Sequence, residues 1–225
     1  PVPVVTHEIG QYSVYPDISS ISKYTGNLKP VNLESIKEDL QKKGRLKQAA
    51  SYLSASTRFA SILYKEELER AMKTPGYSGY QLLGLTDYPG QGTALVGLLD
   101  VFWDGKDAVS YTLFKQVCAP VVPLASFEKA TYTNQDTFKA SLQIANFSAE
   151  TLKNIALEWS LKREDGSILY QGVLEKQDVK VGNNQVLGNI AVPLGSISKA
   201  EHLTLSLSVA HTKVANEWQI WVYPS

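Results

Sequence analysis

Two carboxylates in this chain stand where chemistry is usually done. Glu8 lies in Thr6-His7-Glu8-Ile9-Gly10-Gln11-Tyr12, directly behind the apolar run Val2-Pro3-Val4-Val5. Asp87 closes the run Gly79-Tyr80-Gln81-Leu82-Leu83-Gly84-Leu85-Thr86 and opens Tyr88-Pro89-Gly90-Gln91-Gly92. A short buried strand that releases an acid at its C-terminal end is how barrel enzymes present catalytic carboxylates. Each acid also has a plain structural reading: Glu8 as a strand-end ion-pair partner, Asp87 as an Asx-type stabiliser of the turn into Pro89-Gly90. His7 either binds a ligand hydroxyl, orients Glu8 or is structural. Tyr12 and Tyr15 follow Glu8 on one loop; Gln11 and Gln91 are weaker polar candidates. Trp103 is either a stacking platform or an aromatic plugging the core of its own loop.

The elements that must position these residues can be read from the pattern. Residues 1–10 predict a strand, rich in β-branched valine and polar at its exit. Tyr12 to Pro30, with Pro16 and Gly26, predicts a long ordered loop. A helix is expected from Asn32 as N-cap, with Leu33, Ile36 and Leu40 as its stripe and Lys42-Lys43-Gly44 as its stop. A longer helix is expected over Leu46–Lys73, on the spacing of Leu46, Ala49, Ala50, Leu53, Ala60, Leu63 and Leu68, halted by Thr74-Pro75-Gly76. Gly79–Thr86 is continuously apolar, the pattern of a parallel strand buried on both faces. A long loop, a short helix near Ser110–Val117 and a Pro-punctuated connector, Cys118–Leu124, complete the first part.

From about Ser126 the texture changes to period-two alternation. Phe138, Ala140, Leu142 and Ile144 alternate with Lys139, Ser141 and Gln143. Ile155, Leu157, Trp159 and Leu161 form one face of a strand, and Leu203, Leu205, Leu207 and Val209 another. Asp165-Gly166 supplies a hairpin turn. Roughly seven short strands argue an immunoglobulin-like β-sandwich without that fold's disulfide. Trp159 points inward. On the closing strand Trp218, Ile220 and Val222 face one way and Gln219, Trp221 and Tyr223 the other. That aromatic face either packs against the first part or is an exposed strip. The fold class is therefore α/β plus all-β: the last two strand-helix units of a (β/α)8 barrel over residues 1–125, then a sandwich over 126–225.

Bulk properties exclude several functions. Among 225 residues, 22 Lys+Arg balance 22 Asp+Glu, so no long-range field attracts nucleic acid or an anionic membrane. No stretch approaches the roughly 20 apolar residues of a membrane span. Cys118 is the single cysteine, so no intrachain disulfide forms. Three scattered histidines (His7, His202, His211) give no zinc spacing. Gly90-Gln91-Gly92 lacks the Lys-Ser/Thr of a phosphate loop, and no Gly-x-Ser-x-Gly elbow is present. A start at Pro1, inside an apolar strand, reads as the start of a piece of a longer polypeptide, with a processed terminus as the alternative.

These motifs resemble the C-terminal part of glycoside hydrolases of the family 2 group, the β-galactosidase, β-mannosidase and β-glucuronidase types. In that family the seventh barrel strand ends in the nucleophilic glutamate, which His7-Glu8-Ile9-Gly10 matches. The eighth runs from a Gly through apolar and aromatic residues to an Asp, which Gly79 to Asp87 matches. Asn146 in Ala145-Asn146-Phe147 and the closing Trp218-Gln219-Ile220-Trp221-Val222-Tyr223-Pro224 look like sandwich features of the family. The chain departs from the family at Leu83, where members often place a Trp beneath the sugar; Trp103 is a candidate substitute.

The resemblance implies a retaining glycosidase acting on a β-linked sugar. Glu8 is the expected nucleophile, working with a second carboxylate about 5–5.5 Å away. His7, Tyr12, Asp87, Gln91 and Trp103 are the expected substrate contacts. The proton donor has no counterpart here and is expected upstream, so this chain alone is expected to be inactive. No cofactor or metal is implied. The expected partners are a carbohydrate substrate and the upstream polypeptide, with no nucleic acid or membrane. The isolated piece is expected to self-associate through open sheet edges. A periplasmic or secreted location is what the resemblance implies. The alternative function is a non-catalytic carbohydrate-binding or structural module.

Overall fold

In a computed structural model, residues 2–88, 91, 94–106 and 109–225 are described. The expected Pro89-Gly90 turn lies outside them. The chain divides into two compact units: Pro1–Val4 with Glu69–Ser78 and Lys115–Ser225, and Val5–Leu68 with Gly79–Phe114. Most elements are strands, with few helices.

The second of these units carries the candidate acids. β1 (Val4–Ile9) pairs with β2 (Tyr77–Leu82) in a two-stranded sheet, continued by the Leu83 amide donating to the Ile9 carbonyl at 2.9 Å. The strand expected at Gly79–Thr86 is thus shifted towards the N-terminus. Burial on both faces is not what the structure shows. Val4 and Val5 are each 55% exposed, and Leu83 and Leu85 are also exposed.

Two helices lie between these strands in the chain. α1 (Val31–Lys42) begins one residue before the expected Asn32 cap, with Pro30 in the capping position and no side-chain cap bond. Proline suits a helix entrance, since its missing N–H would have no partner there. Gly44 ends the helix at φ +66°, as expected, and the Arg45 amide closes back onto the Leu40 carbonyl at 2.8 Å. α2 (Ala49–Lys73) is entered through a 3-10 turn at Leu46–Gln48 and buries Ala60, Tyr64, Leu68 and Met72. Phe59 and Ile62 stay exposed on its far side. No helix among the described residues is long and apolar enough to cross a membrane.

α3 (Tyr111–Val117) is followed by a β-sandwich. Its strands are β3 (Val121–Ser126), β4 (Thr131–Thr133), β5 (Thr137–Asn146), β6 (Leu152–Ile155), β7 (Leu157–Arg163), β8 (Ile168–Val173), β9 (Gln177–Val179), β10 (Gly182–Pro193), β11 (Glu201–Val209) and β12 (Ala215–Tyr223). One sheet has the order β10-β5-β3, the other β4-β12-β11-β7-β8, and β6 pairs with β9. The alternating residues meet between the sheets: Phe138, Leu142 and Ile144 against Leu161, Leu203, Leu205 and Ile220, all fully buried. Trp159 packs partly buried against this core, opposite Gly172 on β8. The Asp165-Gly166 hairpin is present: Gly166 takes φ +84°, and the Ser167 amide donates to Asp165 Oδ1 at 2.8 Å.

One expectation is corrected. Cys118–Leu124 is not simply a connector, since β3 starts at Val121 and pairs with β5 from Val121↔Asn146 to Ser126↔Ser141. Pro123 is tolerated because β3 is the edge of its sheet, where one N–H can be missing from the ladder. The boundary expected after residue 125 falls inside this strand. The β12 faces separate as read, and the aromatic one is open, with Trp221 and Tyr223 both exposed.

Candidate functional site

Glu8 is the penultimate residue of β1 and takes φ +58°, a left-handed backbone rare for a side chain with a Cβ. Such strain is of the order of 1–2 kcal/mol and persists where neighbours hold it. Here the holding is done just downstream. Gly10, at φ +88°, donates its amide to Glu67 Oε2 at 3.1 Å and accepts the Tyr64 hydroxyl on its carbonyl at 2.6 Å. The same hydroxyl approaches the Val96 carbonyl, so one proton is shared between two acceptors. A Cβ on Gly10 would lie 1.8 Å from the Tyr64 ring, which makes glycine obligatory there. Burial pushes the Tyr64 hydroxyl up to about 12, so it stays a donor at every physiological pH.

The strand exit therefore projects the Glu8 carboxylate into solvent with light restraint. His7 Nδ1 is 3.6 Å from Oε1, and Gln11 Nε2 donates to Oε2 at 3.3 Å. Roughly half of the Glu8 side chain is accessible. Tyr12 stands edge-on to Tyr64, with ring centroids 5.6 Å apart. His7 and Gln11 thus lie beside the Glu8 carboxylate, and Tyr12 packs against Tyr64.

Asp87 is in a different setting. It is 6% exposed and paired with Lys106, itself 7% exposed, at 2.6 Å through Oδ1. The same oxygen accepts the Gly97 amide at 2.9 Å, and Lys106 also donates to the Leu95 carbonyl at 3.2 Å. Gly97 is needed for this approach, since a Cβ would meet Thr86 backbone at 2.2 Å. Burial pushes the Asp87 acid up and the Lys106 amine down, while the pair itself opposes both shifts. Lys106 was invisible in the sequence, since nothing local announces a partner nineteen residues away.

Trp103 sits at the tip of a locked turn. Asp100 Oδ1 accepts the amides of Phe102 and Asp104 at 2.8 and 2.9 Å. Lys23 Nζ clamps Asp100 and Asp104 at 2.7 and 2.8 Å. Trp103 takes φ +69° and is 68% exposed, so it does not plug its own loop; Phe102 beside it packs edge-on against Tyr24 at 4.9 Å. Burial raises the Asp100 acid, but the Lys23 and amide bonds outweigh it and hold the acid below its ordinary value. Its stabilisation is therefore complete above the usual carboxylate range and is lost as pH falls through the depressed value. Asp87, held high, runs in the opposite sense. Thermal melts between about pH 6 and pH 3 are expected to show a shallower acid loss in Asp100→Asn than in the unmodified chain.

A cavity of about 300 Å³ opens in the same unit, lined by Tyr15, Asp17, Lys23, Tyr24, Asp87 and Lys106 among others, with Gln91 at its rim. Of the expected site residues it includes Asp87 and Gln91; His7, Glu8, Tyr12 and Trp103 are not among its lining. Among the described residues no cluster of three His, Cys, Asp or Glu side chains is placed to hold a metal ion.

Comparison with known proteins adds the following. The model of a family described as "Domain of unknown function (DUF8488)" matches residues 136–224, within the sandwich. No curated protein matches the chain. Among solved structures, the exo-chitosanase CsxA of Amycolatopsis orientalis is similar over 83% of this chain and 21% of its own, at 13% identity and TM-score 0.41. The β-glucuronidase of Parabacteroides merdae is similar over 44% and 14%, at 12% identity and TM-score 0.28. The sporulation control protein Spo0M of Bacillus subtilis is similar over 47% and 50%, at 12% identity and TM-score 0.33. The chain thus spans half or less of each of these proteins.

Proposed function

We propose that this chain is the C-terminal part of a retaining glycoside hydrolase that cleaves a β-linked sugar, with Glu8 as its nucleophile. The carrying observation is the Glu8 carboxylate, lifted from a strand end by left-handed backbone and left half open between His7 and Gln11. A nucleophile needs this combination of fixed position and open approach. Glu8 would attack the anomeric carbon and form a glycosyl ester. His7 and Gln11 would hold the carboxylate, and Tyr12, Asp87, Gln91 and Trp103 would contact sugar. In this reading β1 and β2 are the last strands of a (β/α)8 barrel, the sandwich is immunoglobulin-like, and the parent acts in the periplasm or outside the cell. The proton donor lies in the upstream part of the polypeptide, so the isolated chain lacks general-acid help worth about 10²–10⁴-fold.

The test is a 2-fluoroglycoside offered to the full-length polypeptide, followed by peptide mass analysis. A glycosyl ester on the Glu8 peptide supports the reading; labelling of another carboxylate sinks it. A second reading, a non-catalytic carbohydrate-binding module, is favoured by the exposed Trp221 and Tyr223. Glycan binding by the full-length protein without any trapped ester would select it.

The same reading makes a prediction about the chain on its own. Among the described residues the sheet of β1 holds two strands, with Val4 and Val5 exposed, a template for pairing with a second copy. Sedimentation at micromolar concentration is expected to show self-association, and Val5→Lys to shift the chain towards monomer. A monodisperse unmodified chain counts against it.

A further inference from the structure

We infer that Tyr64 and Glu67 are positioning residues: from one face of α2 they grip both backbone polar groups of Gly10 and thereby place the Glu8 carboxylate for attack. The inference rests on the reading of Glu8 as nucleophile and deepens it, since it assigns part of the speed of that step to a helix.

The first observation is the length of the Glu8 side-chain contacts. Gln11 Nε2 donates to Oε2 at 3.3 Å, past the usual length of such a bond, and His7 Nδ1 at 3.6 Å from Oε1 is outside hydrogen-bonding range. Both neighbours are exposed, so water competes with each of them. A carboxylate held by contacts of this kind takes its place from the backbone that carries it.

The second observation is how that backbone is fixed. The Ile9 carbonyl accepts the Leu83 amide at 2.9 Å. The next residue is gripped from α2 on both of its polar groups. The Gly10 amide donates to Glu67 Oε2 at 3.1 Å, and the Gly10 carbonyl accepts the Tyr64 hydroxyl at 2.6 Å. Residues three apart lie on one helix face, so Tyr64 and Glu67 reach Gly10 together. The Tyr64 ring takes the space where a Cβ on Gly10 would stand, and Tyr12 at 5.6 Å and Phe114 at 5.5 Å hold that ring in turn. Left-handed backbone at a residue with a Cβ persists where its surroundings over-determine it. Glu8, at φ +58°, is two residues from this grip.

The third observation is what else the hydroxyl reaches. Tyr64 also approaches the Val96 carbonyl. Val96 precedes Gly97, whose amide donates to Asp87 Oδ1 at 2.9 Å. One phenol thus spans the strand end that bears the proposed nucleophile and the segment that holds a proposed sugar contact. A misplacement of about 1 Å between reacting groups costs on the order of 10²-fold in rate. A hydrogen bond to a buried tyrosine, 2% exposed, sets position on that scale.

The experiment follows the labelling of Glu8 over time in the full-length polypeptide, with a 2-fluoroglycoside of dinitrophenol as probe and peptide mass analysis as readout. The Glu8 carboxylate bonds to the anomeric carbon as the bond to the dinitrophenolate breaks. That leaving group needs no proton, so the rate constant reports on the nucleophile. Tyr64→Phe keeps the ring and removes the hydroxyl. At saturating probe it is expected to lower the rate constant about 10- to 100-fold while the final extent of labelling stays full. Glu67→Leu is expected to do the same. Glu67→Gln, whose side-chain carbonyl can still accept the Gly10 amide, is expected to return most of the rate. A tyrosine that only stabilised the fold would lower the final extent and leave the rate constant of the labelled molecules unchanged. Where Tyr64→Phe does not fold, the Glu67→Leu and Glu67→Gln pair decides. An unchanged rate constant in Tyr64→Phe or in Glu67→Leu, or a loss that Glu67→Gln does not recover, overturns the inference and leaves the nucleophile reading standing. An ester on another carboxylate of the unmodified polypeptide, or no ester at all, removes both.

Discussion

Glu69→Ala is expected to lower the stability of the chain by about 3–5 kcal/mol, read as a fall in the urea midpoint at unchanged slope. Glu69 is 3% exposed near the end of α2. Its Oε1 accepts Asn216 Nδ2 at 2.9 Å, and its Oε2 accepts the Trp218 indole N–H at 2.7 Å. Lys73 Nζ stands 3.8 Å from Oε2 and also donates to the Ala125 carbonyl at 3.2 Å. Asn216 reaches on to the Pro123 carbonyl at 2.8 Å. One carboxylate thus ties the helix end to β12 and to the edge strand β3. Two bonds to a charged acceptor contribute about 1.5–3 kcal/mol each, and alanine takes that acceptor from both donors. Glu69→Gln separates charge from shape. Its amide nitrogen must face either the Asn216 or the Trp218 donor, so a loss of about 1–3 kcal/mol is expected even though the volume is kept. Equal stability of Glu69→Gln and the unmodified chain would show that the network is not what holds this helix end.

That network also marks how far the sequence alone could be read. The sandwich was legible because its two faces differ: a strand with Leu203, Leu205 and Leu207 inside and His202, Thr204 and Ser206 outside has one register that works. The Asp165-Gly166 turn was legible for the same local reason, since Gly166 supplies the positive φ that the hairpin requires. The β3 strand was not, because Pro123 reads as a breaker unless the strand is known to be an edge, and edges are a property of the assembled sheet. At the candidate site, Glu8 and Asp87 could be picked out by their place after apolar runs. Their surroundings could not. The Lys106 that neutralises Asp87, the Tyr64 that pins Gly10 and the Trp218 that holds Glu69 all arrive across long stretches of chain. Gly10 and Gly97 leave no room for a Cβ, and a glycine in the sequence does not say what approaches it.

The backbone at Glu8 allows stability and function to be pulled apart. Glu8→Gly in the full-length polypeptide is expected to cut turnover of a β-glycoside by about four orders of magnitude or more, the scale on which removal of a nucleophile acts. The same substitution is expected to leave the melting temperature level or raise it. Relief of left-handed strain at φ +58°, roughly 1–2 kcal/mol, offsets or exceeds the entropy that glycine adds to the unfolded chain, about 0.5–1 kcal/mol. A residue kept for structure behaves the other way, since its loss lowers stability and activity together. Added azide separates the roles further. In Glu8→Gly the space of the carboxylate is open, so azide can attack the anomeric carbon of an aryl glycoside from that face and expel the phenolate. The product is a glycosyl azide of inverted configuration, formed in a single displacement. Rescue with a product of retained configuration would instead place the lost group on the opposite face, as the proton donor, and Glu8 would then have been given the wrong one of the two carboxylate roles. No rescue, with a lowered melting temperature, would return Glu8 to the structural reading of a strand-end ion pair with His7.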